Sequence, residues 1–446
     1  MSAVAVPAFA LTWWLACYLL GRDPARAVLQ RAAAALAVYG LAVAAWTIEP
    51  GSTVAQVLLC VPALLWAGAA LGLLPDYRSA LTRGWIAATV VFLAIVVLLP
   101  EIGRLLVLFP LAGALVLLWR GRAEVRPGIL PAAVTVVAGL YGLGLAAALT
   151  LIDLGSVELV LAAIGLDLMV LGYLVAVADA VDAGERLHPD LRRSAVAAVA
   201  ATLLIGGPAA LTTLAAPGNG AVVALQFVLV AVAMTGIGLP GPVRRGLDRL
   251  AYLNDDRIRA DRAALLLSAD ALPRRRERHR LLGTSEAEFA RLTRRALEDY
   301  RDLGRLLRSP LINLPTVDRR LTGQMAEQPL ARALELRAVL QESVARLKPD
   351  GLAGTSEEWR HYNALHFICV LGLRPYARQP ADGLDRDGRL VLDWFRRSVP
   401  PPTLRQWQDE GARRVADRLW GELVRTDPRW LGHAHTVKRT STTRSP

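Results

Sequence analysis

The stretch that decides the fold is LAAIGLDLMVLGYLVAV, residues 161–177, in which Asp167 is the only acidic or basic residue. A run of roughly 17–25 apolar residues can cross the hydrocarbon core of a bilayer as a helix. A helix also gives each backbone polar group a partner within the segment. The stretch therefore predicts a span over residues 157–178. The same criterion predicts eight more spans, over residues 3–21, 32–47, 54–74, 84–100, 105–119, 129–152, 194–215 and 221–239.

Charge separates the chain into two parts. Residues 1–240 contain 12 of the 51 Lys+Arg and 12 of the 39 Asp+Glu, so the remainder carries the whole net charge of +12. Its arginine bias is typical of a GC-rich genome, and attraction to anionic headgroups or to nucleic acid is the alternative. We predict an all-α protein with a transmembrane domain over residues 1–240, a basic juxtamembrane linker over 241–283, a helical cytoplasmic domain over 284–431 and a disordered tail over 432–446.

Arginines in the loops predict the orientation. The odd-numbered loops contain eleven arginines, and the even-numbered loops contain only Arg104. Because short basic loops stay cytoplasmic, we expect the N-terminus outside and the C-terminal domain inside. No basic segment precedes the first apolar run, so we expect that run to remain as a span rather than to be cleaved. The expected location is a bacterial inner membrane, with the lipid bilayer as partner.

Asp167 is the candidate functional residue within the membrane. An ionisable side chain at that depth is costly and is usually turned toward the bundle interior or water. A ligand contact, an ion site or a proton-linked switch explains it, and so does a protonated Asp that only holds helices together. No basic residue lies at similar depth in another predicted span.

The linker offers a candidate lipid surface. Residues 243–253 alternate arginines with leucines as a short amphipathic helix would, and RRRERHR at 274–280 is strongly basic. Contact with anionic lipid is one interpretation, and a solvated loop near the membrane is the other. The candidate lipid-contacting residues are Arg244, Arg245, Arg249, Arg274, Arg275 and Arg276.

Capping signals predict several helices in the C-terminal part. Ser285 with Glu288, Thr355 with Glu358, and Thr403 with Gln406 each place a hydroxyl oxygen, able to accept a hydrogen bond, three residues before Glu or Gln, as a capping box does. Apolar residues at helical spacing follow each one. Two further helices are predicted over about residues 328–347 and 388–399.

Motifs of catalysis are missing from the sequence. It contains no Walker A sequence, no kinase motif set and no G-x-S-x-G elbow. His361 and His366 are five residues apart, a spacing that does not align them on one helical face. We therefore expect a protein without catalytic residues, metal or cofactor.

The apolar part resembles the multi-pass sensory modules found at the N-termini of bacterial sensor kinases. The shared features are an outside N-terminus, short loops and an effector after the last span. No phosphoacceptor histidine motif or ATP-binding domain follows here, so the resemblance implies sensing without kinase activity.

The C-terminal part resembles bacterial regulators with a degenerate helix-turn-helix similar to sigma-factor region 4. The resemblance rests on EWRHYNAL at 358–365, VLGL at 370–373, TLRQW at 403–407, LTRRAL at 292–297 and SPL at 309–311. It implies DNA contact by a helix from Thr403, with base edges read at the N-terminal end of that helix. Arg405, Gln406 and Gln408 are the candidate base-reading residues, and Arg413, Arg414 and Arg418 the candidate phosphate contacts.

These features together favour a non-enzymatic membrane sensor or regulator with a helical output domain. Two alternatives remain. A permease with a regulatory tail would place several polar residues around Asp167. A scaffold would instead present a surface to a cytoplasmic protein partner.

Overall fold

The computed structural model describes residues 4–74, 79–123, 127–149, 157–185, 187–215, 219–252, 285–321, 328–350, 354–376 and 386–426, with isolated residues at 125, 257–258, 262–263, 265–266 and 269. These residues are helical and contain no strand, which confirms the all-α class. The chain divides into two compact units. The first unit is Met1–Val181 with Leu187–Arg259, and the second is Asp182–Arg186 with Ala260–Pro446.

The first unit is built from long apolar helices. They are α1 (Ala5–Arg22), α2 (Ala27–Ile48), α3 (Thr53–Gly72), α4 (Ser79–Leu98), α5 (Pro100–Leu106), α6 (Leu108–Arg120), α7 (Leu130–Leu149), α8 (Val157–Ala183), α9 (His188–Ala201), α10 (Gly207–Ala215), α11 (Gly220–Gly238) and α12 (Pro240–Ala251). A π-helical turn, Thr202–Gly206, joins α9 to α10.

The number of spans agrees with the prediction. Within the described part of the chain, nine helical segments are long and apolar enough to cross a membrane, and each overlaps one predicted span. Several ends differ: α2 begins at Ala27 rather than residue 32, and α8 ends at Ala183 rather than residue 178. Both helices continue beyond their apolar runs, where polar side chains such as Arg31 and Asp179 find partners on neighbouring helices.

The second unit consists of shorter helices around two apolar clusters. They are α13 (Glu286–Glu298), α14 (Leu303–Arg308), α15 (Pro315–Arg320), α16 (Pro329–Ala345), α17 (Arg360–Asn363), α18 (Arg386–Ser398) and α19 (Pro401–Thr426), with 3₁₀ turns at Pro310–Asn313 and Glu357–Trp359 and a π-helix at Ala364–Val370. The larger cluster includes Phe289, Leu336, Leu340, Val415 and Leu419. The smaller one includes Phe367, Phe395 and Leu404.

The N-cap bond of one of the three predicted capping boxes is confirmed. The Ser285 side chain accepts a hydrogen bond from the Glu288 amide at 3.3 Å and begins α13. The second prediction was wrong, because Ser356 rather than Thr355 precedes the 3₁₀ turn. The third was also wrong: α19 begins at Pro401, since proline fits the first turn of a helix, where its missing N–H has no partner to lose. The predicted tail, residues 432–446, lies outside the described residues.

Candidate functional site

A polar stripe runs along α1 in the first unit. Trp14, Tyr18 and Arg22 follow at intervals of four residues, so they lie on one helical face. The Trp14 indole donates to the Ser194 hydroxyl at 2.8 Å, and the Tyr18 hydroxyl donates to the Asp190 carboxylate at 3.0 Å. The first span is therefore tied to α9 by two side-chain hydrogen bonds.

The third member of the stripe belongs to a buried ion cluster. The Nε atom of Arg22 lies 2.7 Å from Oδ2 of Asp179, and Nη1 of Arg26 lies 2.6 Å from Oδ1. The side chains of Arg22, Asp179 and Arg26 are 1%, 5% and 27% exposed. Removing one partner from such a cluster typically costs about 3–5 kcal/mol, because a buried charge is left without its counterion. The cluster therefore fixes α8 against α1.

One face of α8 carries that contact. Gly165, Gly172 and Asp179 are seven residues apart, and seven residues are almost two full helical turns. A Cβ added to Gly165 would lie 3.1 Å from the Tyr39 hydroxyl of α2. A Cβ on Gly172 would lie 2.9 Å from Leu15 of α1. This face is therefore seated closely on the first two spans.

Asp167 does not belong to that face. It follows Gly165 by two residues, which turns it by roughly 200° around the helix axis. It is half-buried, and its neighbours Leu166 and Val170 are exposed. Among the residues that the structure describes, no side chain hydrogen-bonds or pairs with Asp167. The Asp167 side chain therefore does not link two helices within the described part of the chain.

The end of α8 leads into the second unit. Its last two residues belong to the segment Asp182–Arg186, which is part of that unit. Asp182 accepts a hydrogen bond from Arg291 of α13 at 3.0 Å, and Glu185 lies 3.5 Å from Arg308 of α14. Asp182, near the end of α8, and Glu185, which follows the helix, therefore contact α13 and α14 within the second unit.

Gly184 shapes this attachment. Its φ of +69° is in the left-handed region, where glycine has no steric penalty. An added Cβ would lie 2.7 Å from Cγ of Pro310 and 2.8 Å from Cδ2 of Leu292. Gly184 is thus needed both for the turn and for the close approach.

The candidate DNA-binding residues all lie on α19. On the same helix, Leu404 and Val415 are buried, while Trp407 is half-buried and stacks on Trp394 at 5.4 Å. Among the candidates, Arg405, Gln406, Arg413, Arg414 and Arg418 are exposed and Gln408 is half-buried.

Acidic groups accompany these residues. The Gln406 amide donates to Glu410 at 2.9 Å, and Arg294 lies 3.1 Å from Asp409. The whole of α19 contains five arginines and four carboxylates. Its outer surface is therefore mixed in charge rather than uniformly basic.

The candidate lipid-contacting residues are described in part. Arg245 and Arg249 are exposed on α12, and Arg244 is half-buried there. Arg274, Arg275 and Arg276 lie outside the described residues.

His361 is a buried titratable group of the second unit. Its Nδ1 faces the Trp407 carbonyl at 3.4 Å, and its Nε2 accepts from Nε of Arg360 at 3.3 Å. Glu410 lies 3.7 Å away. Burial is the main cause that lowers the pKa of His361, and positive charge from Arg414 and Arg360 acts in the same direction. The two hydrogen bonds fit a neutral ring that carries its proton on Nδ1.

Sequence reasoning selected Asp167 and missed the ion cluster. Arg22 and Arg26 counted only as loop charges, and Asp179 was not singled out. A signal was nevertheless present, because Trp14, Tyr18 and Arg22 repeat polar groups every four residues in an apolar helix. Comparison with protein-family models, curated proteins and solved structures finds no match to this chain.

Proposed function

We propose that this protein is a non-enzymatic membrane sensor or regulator, in which α8 relays a change in the first unit to the second. The observation that carries the proposal is the sequence of groups along this one helix. Asp167 lies in its middle, Asp179 holds it to α1, and Asp182 binds Arg291 of α13. A displacement of α8 would therefore alter contacts within the second unit.

Among the residues that the structure describes, no polar cluster surrounds Asp167, which supports a regulator over a permease. A translocation path needs polar groups that replace the hydration of the substrate inside the bundle. In the described residues, α8 instead turns glycines toward α1 and α2, and Asp167 lies on another face.

Hydrogen exchange of the full-length protein in lipid nanodiscs tests the relay. Asp179→Asn leaves Arg22 and Arg26 without their shared carboxylate, so we expect faster exchange in α1 and α8. If α8 relays the change, the amides of α13 also exchange faster.

Arg104→Gln is the matched control. It removes an arginine that donates to Gln56 within the first unit but is not on α8. We expect its effect to remain in the first unit. If Asp179→Asn leaves α13 unchanged, or if the control accelerates α13 equally, the relay is refuted.

The proposed orientation places the N-terminus outside and the second unit in the cytoplasm of a bacterial cell. Its support is the concentration of arginine in alternate loops. Phosphatase fused after Ser52 or Asn219 should be active, and phosphatase fused after Arg122 or Arg249 inactive. Activity after Arg249 would contradict the orientation.

For the output we favour a protein partner over DNA. The outer side of α19 combines arginines with carboxylates, as the pair of Arg418 and Glu422, 3.9 Å apart, illustrates. Carboxylates repel phosphate but suit a partner of mixed charge. DNA contact through Arg405, Gln406, Gln408, Arg413, Arg414 and Arg418 stays a prediction with its own test.

A further inference from the structure

The helix α12 presents an apolar face that the described part of the chain leaves uncovered. No residue of Pro240–Ala251 is buried. Val243, Leu247 and Leu250 follow the i, i+4, i+7 pattern of one helical face and are 39%, 59% and 72% exposed. A continuous apolar face of this kind marks a surface that binds something.

The charged side of α12 indicates what it binds. At 100° per residue, Arg245 and Arg249 lie opposite Leu247, and Arg244 lies at the flank between the two sides. Asp248 is the one acidic residue of the helix. A short helix with leucines on one side and arginines on the other is typical of segments that lie in the interface of an anionic membrane.

The attachment of α12 holds it at that interface. It begins two residues after Gly238, the last residue of the ninth span. Gly238 packs so closely on α1 that an added Cβ would lie 2.5 Å from Cβ of Cys17 and 3.0 Å from the Trp14 carbonyl. The start of α12 is therefore fixed at the end of a span, and its first turn cannot move far from the bilayer.

We propose that α12 lies in the plane of an anionic leaflet, with Val243, Leu247 and Leu250 at the acyl boundary. The arginines reach the lipid phosphates along their flexible aliphatic stems. This surface is independent of the relay through α8, because it requires only that the ninth span ends at the membrane.

Site-directed fluorescence in nanodiscs tests the proposal on the full-length protein. A polarity-sensitive dye is attached at Leu247→Cys or, as the matched control, at Arg245→Cys. The background is Cys369→Ser, since Cys17 and Cys60 are buried. Nanodiscs contain phosphatidylcholine with or without phosphatidylglycerol, and quenching is measured with doxyl-labelled lipid and with aqueous iodide.

The expected result is quenching by doxyl lipid at Leu247→Cys and by iodide at Arg245→Cys, with a larger difference when phosphatidylglycerol is present. Replacing Arg249 by Gln should reduce the ratio of docked to undocked helix about fivefold, the equivalent of roughly 1 kcal/mol per arginine at an anionic surface. The reduction should disappear in pure phosphatidylcholine.

Three results would overturn the proposal. Equal iodide quenching at both positions would place the helix in water. Protection of Leu247→Cys from both quenchers would show that protein covers the face. Identical lipid quenching with and without phosphatidylglycerol would remove the anionic lipid as the partner.

Discussion

Replacing Gly184 by alanine should loosen the second unit more than the same change at Gly51. Both glycines have positive φ, +69° and +75°, so alanine is strained at both by about 1–2 kcal/mol. Only at Gly184 would the new Cβ overlap neighbours, at 2.7 Å from Pro310 and 2.8 Å from Leu292. Overpacking of this kind costs about 1–3 kcal/mol. We therefore expect a total loss of about 2–5 kcal/mol at Gly184 and about 1–2 kcal/mol at Gly51.

The pair of variants separates packing from backbone strain because Gly51 has no atom within 4 Å of an added Cβ. Hydrogen exchange would report the free energy of local opening. In Gly184→Ala it would be measured for α13 and for the turn at Pro310–Asn313, and in Gly51→Ala for the start of α3. We expect the larger loss in the second unit for Gly184→Ala. Equal losses, or protection of α13 that does not change, would refute the close packing of Gly184 against Pro310 and Leu292.

Three other predictions concern separate parts of the molecule. Gly68→Ala should lower thermal stability, because the new Cβ would overlap the Trp85 ring. Gly139→Ala is the control: its Cβ would meet no atom within 4 Å, so thermal stability should not change. The lowered pKa of His361 means that the unfolded chain binds more protons, so stability of the second unit should fall as pH drops below roughly 6.5. A His361→Gln variant with the same pH dependence in denaturant titrations would contradict this. If α19 contacts DNA, replacing Arg413 and Arg414 by Ala should flatten the slope of log affinity against log salt by about 1.8, and absence of binding at about 50 mM salt would exclude the contact.

The spans were predictable because their signal is local. A window of apolar residues identifies a membrane helix without knowledge of its neighbours. The ends were less predictable: Arg31 lies inside α2, where its guanidinium donates to the Gly68 carbonyl at 2.7 Å and covers the Trp85 ring. A long aliphatic stem lets such a charge sit near the end of a membrane helix. The contacts of Arg31 with Gly68 and Trp85 could not be predicted from the sequence around Arg31.

The site was less predictable because it depends on pairs distant in sequence. Asp179 bonds Arg22, 157 residues away, and Asp182 bonds Arg291, 109 residues away. In a hydropathy pattern, each of these charged residues indicates only where an apolar run ends. Asp167 could be selected from the sequence for the opposite reason, because the free-energy cost of an ionisable side chain in a membrane span depends on its depth in the bilayer and not on a distant partner.

The proposed relay depends on the two faces of α8. Gly165 and Gly172 allow close contact with α2 and α1, so this face of the helix is closely packed. Asp167 is turned away from this contact, where an ion, a ligand or another helix can reach it. Twelve residues separate Asp167 from Asp179, a rise of roughly 18 Å along a rigid helix. The proposed relay requires that a displacement at Asp167 reach Asp179 and then Asp182, three residues further along the same helix. A transporter would need the polar group on the inner face, so the outward position of Asp167 favours a regulatory role.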